Sequence, residues 1–336
     1  MTSVTTLQPL KAAEINLGKL FTDDYEFIIP EYQRPYAWGG DQTMQLLSDL
    51  HGALGSDTDE PYFLGSIVLV KDPIAPVSEV IDGQQRLTTL TLLIAILRDL
   101  VTNHELRRDI HQFIEEPAVN WDDKPARPRL TLRPRDAKFF HDYVQADGAT
   151  EVLVDISDNL IVTDSQRLLR DNARELREEL LTWEPEDLQR LYKMMAKRAY
   201  LVTVSTPDLN SAYRIFSVMN SRGLPLSPSD IFKSQVIGAL DEDKRSSYAD
   251  MWESWEEELG RDEFGDLFLY IRAIFAQMRG RSSLLQEFPK QVLTNYLPDN
   301  AEGFLNEVLE PYAEADKRLI SQDFQGSPEW LGLILG

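Results

Sequence analysis

The 336-residue chain contains no cysteine. Disulfides, thiolate-held zinc and cysteine nucleophiles are excluded together, and a reducing, cytoplasmic setting is expected. Histidine is nearly as scarce: His51, His104, His111 and His141 are the whole set, and none has metal-ligand spacing with a partner. A histidine-metal nuclease centre is therefore not visible. No apolar run approaches the roughly 18–20 residues that cross a bilayer. The opening MTSVTTLQPLKAAE lacks the basic and apolar zones of a secretory leader, so no membrane partner is expected. Positive charge is short as well. Against 56 Asp and Glu stand 34 Lys and Arg, a formal net charge of −22, which repels a polyanion over most of the surface. The chain also lacks GxxxxGK[ST], GxSxG and HExxH, which removes P-loop, nucleophile-elbow and zincin chemistry.

What is present is a 43% hydrophobic chain, enough for one large domain or two ordinary ones. EFIIP reads as a strand running into the aromatic loop YQRPYAW. Residues 41–54 place Met44, Leu47, Leu50 and Leu54 at helical spacing, and Tyr62–Val70 is an apolar strand with Gly65 permitting close backbone approach. Val80 and Ile81 close a short strand before a helix over 84–100 that is apolar on nearly every side and hence central. RLTLR (129–133) alternates like an edge strand. Residues 163–195 are helical with a break at Trp183-Glu184-Pro185, 200–204 form a short strand, and 209–220 a helix. Ser227, Pro228 and Asp230 begin another helix, with helix throughout the remainder. The apolar ending EWLGLILG reads as a cut through a longer protein.

The most informative stretch is VIDGQQRLTTL (80–90). It puts a carboxylate, a glycine turn and a guanidinium at a strand-to-helix junction, where helix N–H groups and the positive dipole end suit a phosphate. Two other segments share its character: IPEYQRPYAW, offering Tyr32, Gln33, Arg34 and Tyr36, and MNSRGLPLSPSDIFK, offering Asn220, Arg222, Asp230 and Lys233. Arginine forks recognise phosphate, a carboxylate can hold Mg²⁺ or orient water, and amides such as Gln84 and Gln85 position water or read a base edge. Converging, the three segments would make a nucleotide site. Plainer roles stand beside this one. Asp82 can be a helix cap, Arg34 can stack on Tyr32 or Tyr36, Asn220 can end a helix, and Lys233 can face solvent. The basic cluster Lys124, Arg127, Arg129, Arg133, Arg135 and Lys138 is either a phosphate-contacting patch or a solvated, charge-balanced face.

Four ordered segments, IPEYQRPYAW (29–38), FLGSIV (63–68), IDGQQRLTTL (81–90) and IFSVMNSRGLPLSPSDIFK (215–233), resemble the N-terminal domain family of GmrSD-type, modification-dependent restriction endonucleases. The resemblance implies an α+β fold: a ParB/sulfiredoxin-like mixed α/β core, taken as residues 1–140, then a mostly helical region over 141–336 that contributes 212–234 to the site. It also implies nucleotide hydrolysis at Asp82, Gly83, Gln84, Gln85 and Arg86, with modified DNA as partner and an HNH nuclease domain that this chain lacks.

On that basis Asp82, Gln84, Gln85 and Arg86 are expected to be catalytic, with Asp82 touching Mg²⁺. Gly83, Gln33, Arg34, Asn220 and Lys233 would bind a nucleoside triphosphate. Tyr32, Pro35, Tyr36, Trp38, Arg129 and Arg133 would sense DNA, with a phosphorothioate sulfur favoured by the aromatics. The alternative is a non-catalytic module that binds a DNA phosphate or its modification and regulates a nuclease. Homo-oligomer formation is left open.

Overall fold

A computed structural model describes residues 10–22, 24–55, 60–119, 121, 123–207, 209, 211–212, 215 and 228–321. The chain divides into two compact units, Met1–Gly223 and Leu224–Gly336. Strand and helices after residue 140, the boundary expected from the sequence, complete the first unit's core.

The first unit runs β1 (Lys11–Asn16), α1 (Leu17–Leu20), β2 (Glu26–Ile28), α2 (Gly40–Gly55), β3 (Tyr62–Lys71), β4 (Val77–Asp82), α3 (Gln84–Leu100), α4 (His104–His111), β5 (Glu115–Glu116), β6 (Arg127–Pro128), β7 (Leu130–Thr131), α5 (Pro134–Phe140), α6 (Ala149–Asp155), α7 (Asp164–Leu180), α8 (Pro185–Arg198) and β8 (Ala199–Thr206). Six strands form a mixed sheet ordered β1-β8-β3-β4-β2-β7. β8 pairs antiparallel with β1 and parallel with β3, while β3 and β4 form an antiparallel pair. The result is an α+β fold.

The core gathers Phe27, Leu69 and Val80 from the sheet with Leu47 of α2, Leu169 and Leu176 of α7, Leu191 of α8 and most of α3. Leu87, Leu90, Leu92, Leu93, Ala95, Ile96 and Leu97 are all fully buried. At about 2 kcal/mol for each buried Leu or Ile, α3 is clamped by packing far more strongly than helix propensity could hold it. Its far end is tied by charge. Arg98, fully buried, forks onto Asp99 at 2.7 and 3.0 Å and donates to the carbonyls of Gln145 and Ala146 at 2.6 and 2.7 Å. Asp99 also accepts from Gly148 N and Thr150 Oγ1 at 3.0 and 2.6 Å. Burial alone would raise the Asp99 pKa, but Arg98 and Thr150 hold it below the ordinary carboxylate value.

The second unit is helical where described, with helices Pro228–Gly238, Glu242–Leu259, Arg261–Ala276, Leu284–Gln291 and Glu310–Ser321 among its elements. Phe232, Trp252, Phe264, Phe268, Phe288 and Phe304 pack its core as one aromatic cluster. Among the described residues no helix is long and apolar enough to cross a membrane.

Candidate functional site

Asp82 ends β4 opposite Val68 of β3, beside a register shift between Val68 and Leu69. Gly83 then turns the chain with φ +95°, and a Cβ there would sit 2.4 Å from Ile67 Cγ2. Only glycine makes this turn without displacing the β3 side chain. Gly83 is also the N-cap of α3, so no side chain of the capping residue satisfies the first-turn N–H groups. Those donors, with the positive end of the helix dipole, face whatever occupies the junction.

Charge is concentrated at the same point. Burial pushes the Asp82 carboxyl above its ordinary pKa, although the Gly83 N–H and the Arg86 and Arg34 guanidiniums pull in the opposite direction. Arg86 is likewise weakened as a base by burial, with Asp82 opposing that. Its Nη1 donates to Ser66 O at 3.2 Å. The guanidinium lies flat on Gly65, whose φ is +102° and whose Cβ, if present, would meet Cζ and both Nη atoms at 3.2 Å. Gly65 thus makes room for Arg86, the close approach that the FLGSIV segment hinted at.

The aromatic loop is woven onto α3 by amides. Gln85 Oε1 accepts from Ala37 N at 2.7 Å and Trp38 N at 3.3 Å, and its Nε2 donates to Pro35 O at 3.0 Å. Gln33 Nε2 donates to Ile81 O at 3.2 Å. The Tyr36 hydroxyl meets Thr89 Oγ1 at 2.8 Å, while Asn172 Nδ2 of α7 donates to Tyr36 Oη at 2.9 Å and to Trp38 O at 2.8 Å. Burial raises the Tyr36 pKa, leaving it a structural hydroxyl. Asn172 had no sequence signal beyond being a polar residue on a buried helix face.

The structure therefore brings Gln33, Arg34, Asp82, Gly83, Gln84 and Arg86 to one junction. The two adjacent amides divide the work. Gln85, expected to be catalytic, spends its hydrogen bonds on the loop. Gln84 is only 7% exposed, and its amide has no partner among the described residues.

Several expected DNA contacts sit inside. Arg129 and Arg133 are each 6% exposed, because β7 joins the sheet beside β2. Arg129 Nε donates to Gln112 O at 3.3 Å, and Arg133 pairs with Asp136 at 2.9 Å. Arg129 and Arg133, expected to contact DNA, are thus held in the fold by buried carbonyl and carboxylate partners. Arg133 still serves the site from behind, since its Nη1 reaches Gln33 O at 3.4 Å. Tyr32 and Tyr36 are also buried, leaving Pro35 and Trp38 half-exposed. Asn220 and Arg222 lie outside the described residues. Lys233, in the second unit, is buried against Glu253 Oε1 at 2.8 Å, and Asp230 meets Arg261 at 2.9 Å. The solvent-facing alternative for Lys233 does not hold.

Beside Arg86 lies a groove of about 460 Å³ between the start of α2 and the start of β3, with Trp38 and Phe63 on its walls. Among the described residues no group of three or more His, Asp or Glu is arranged to hold a metal ion. Asp82, facing two guanidiniums, is a poor metal site alone and fits Mg²⁺ only as an ion brought by phosphate oxygens.

Residues 17–237 match the family described as GmrSD restriction endonuclease, N-terminal domain, and the chain belongs to that family. No curated protein matches the chain.

Proposed function

From that membership, which makes the chain a module of a modification-dependent restriction system, we propose that its first unit hydrolyses a nucleoside triphosphate at the Asp82–Arg86 junction. Recognition of modified DNA, with a phosphorothioate as the preferred mark, is coupled to this hydrolysis. The observation that carries the reading is Asp82: a half-buried carboxylate, electrostatically coupled to the Arg34 and Arg86 guanidiniums, at the uncapped start of a clamped helix.

In this arrangement the first-turn N–H groups and Arg86 take phosphate oxygens, Arg34 adds charge from the loop, and Asp82 orients the attacking water. Gln84 supplies a second polar contact to that water or to a phosphate. Mg²⁺ arrives with the triphosphate and offsets its charge, with Asp82 the carboxylate nearest to it. Pro35 and Trp38 are the accessible part of the loop that would meet a soft, weakly hydrated sulfur. Because Gln85 fixes that loop to α3, a DNA contact there acts directly on the junction.

An arginine that contacts phosphate contributes about 1.5–3 kcal/mol. Arg86→Ala should therefore lower kcat/KM for phosphate release by about 10–100-fold, and Asp82→Ala should lower kcat further still. Phosphate release from the common triphosphates, with and without phosphorothioate DNA, measures both. Unchanged rates in both variants would refute the assignment.

A further inference from the structure

We propose that Asn172 of α7 is a positioning residue for Arg34: it grips the aromatic loop from a second helix and so sets where that guanidinium stands relative to Asp82. The inference rests on the proposed nucleotide site and adds to it a residue that lies outside every motif segment. Asn172 is 1% exposed, on a helix whose Leu169, Ala173 and Leu176 belong to the core. A buried amide is costly unless it is bonded, and this one spends its hydrogen bonds on the loop. Its Nδ2 donates to Trp38 O at 2.8 Å and to Tyr36 Oη at 2.9 Å. A carbonyl oxygen only accepts, so the nitrogen of the amide must face the loop.

The direction of the remaining bonds follows. Tyr36 Oη accepts from Asn172, and Thr89 Oγ1 donates to Gln85 O at 2.9 Å. The Tyr36 hydroxyl therefore gives its own proton to Thr89, at 2.8 Å. One chain of donors runs from α7 through the loop to a first-turn carbonyl of α3.

The Trp38 peptide is held at both ends, its N–H by Gln85 and its C=O by Asn172. Three residues along α7, Glu175 lies so close to Gly40 that a Cβ there would collide with its carboxylate. The same helix thus backs the loop again where α2 begins. Arg34, which brings the loop's charge to Asp82, sits between two tethered residues: Gln33 bonds Ile81 O, and Pro35 O takes Gln85 Nε2. Loss of Asn172 leaves Gln85 to hold residues 35–38 without help from α7. A misplacement of about 1 Å can cost about 100-fold in rate.

A cycle between Asn172→Ala and Arg34→Ala tests this, with kcat/KM for phosphate release and triphosphate binding measured on the wild-type chain, both single variants and the double. Asn172→Ala should lower kcat/KM about tenfold, and by no more than Arg34→Ala does. The double variant should match Arg34→Ala alone, because a residue that acts only through another has nothing left to lose once that group is gone. Tyr36→Phe breaks the same chain at its middle while keeping the ring in the core; it should lose less than Asn172→Ala, and nothing more once Arg34 is removed. If Asn172→Ala does not fold, the Tyr36→Phe cycle decides. Losses that multiply in the double variant would mark general damage to the fold and overturn the proposal, as would an unchanged kcat/KM in Asn172→Ala. A wild-type chain that binds triphosphate without releasing phosphate would overturn hydrolysis instead, and the cycle is then read on binding alone.

Discussion

Neighbouring glutamines at the start of α3 should respond oppositely to truncation. Gln85→Ala removes bonds to Ala37 N, Trp38 N and Pro35 O at 2.7, 3.3 and 3.0 Å. A net worth of about 0.5–1.5 kcal/mol applies to each well-formed hydrogen bond. The 3.3 Å contact falls at the bottom of that range, and exposed Ala37 recovers part of its loss from water. The sum is a destabilisation of about 2 kcal/mol, expressed as loosening of residues 30–39. Gln84→Ala breaks no hydrogen bond among the described residues, so its cost should stay below about 1 kcal/mol, while phosphate release falls. Urea denaturation of both variants gives the stabilities, and limited proteolysis reports on the loop. Should Gln85→Ala prove as stable as the parent yet inactive, Gln85 would be a catalytic group and the positioning argument would fail. Gln84→Ala being the less stable of the two would be equally damaging.

Two further outcomes follow from the same junction. Gly83→Ala must place a Cβ 2.4 Å from Ile67 Cγ2 at φ +95°; left-handed strain and overpacking together predict a loss of about 2–5 kcal/mol, measured by thermal or urea unfolding and only partly relieved by adding Ile67→Ala. Because burial raises the Asp82 pKa, its proton leaves at higher pH than from an ordinary aspartate near about 3.9. Phosphate release should therefore fall on the acidic side with a midpoint above that value, and a pH–rate profile in which Asp82→Asn keeps the same acidic limb would contradict the role. The sign for stability is the reverse of the usual carboxylate. Asp82 favours the fold at acid pH and loses that contribution as pH rises through its folded-state pKa, whereas Asp99, held low, contributes at neutral pH and is lost on acidification.

Much of the first unit was legible because its signals are local. The apolar 62–70 run, the all-round apolar 84–100 stretch and the Trp183-Glu184-Pro185 break correspond to β3, α3 and the gap between α7 and α8. β1 was not legible: KAAEIN is poor in strand formers, and it becomes a strand through pairing with β8, nearly two hundred residues later. Burial of arginine was equally hidden. Arg129 and Arg133 carry the same residue type as a solvated patch, and only the pairing of β7 with β2 turns them toward Gln112 and Asp136. At the site, the chemistry of IDGQQR was readable, but the division of labour between Gln84 and Gln85 was not. It depends on which helix face meets the 30–39 loop, a tertiary fact. Gly65 shows the middle case, where a glycine in a strand marked a close approach and the structure identified the Arg86 guanidinium as what approaches.

The placement of β8 between β1 and β3 governs when the molecule can first exist. A ribosome must release the chain well past residue 206 before the sheet gains the strand that joins β1 to β3, and until then β1 and β3 present bare edges to each other and to neighbours. The junction at residues 82–86 is written early in the polypeptide, whereas the strand that completes its sheet is written last.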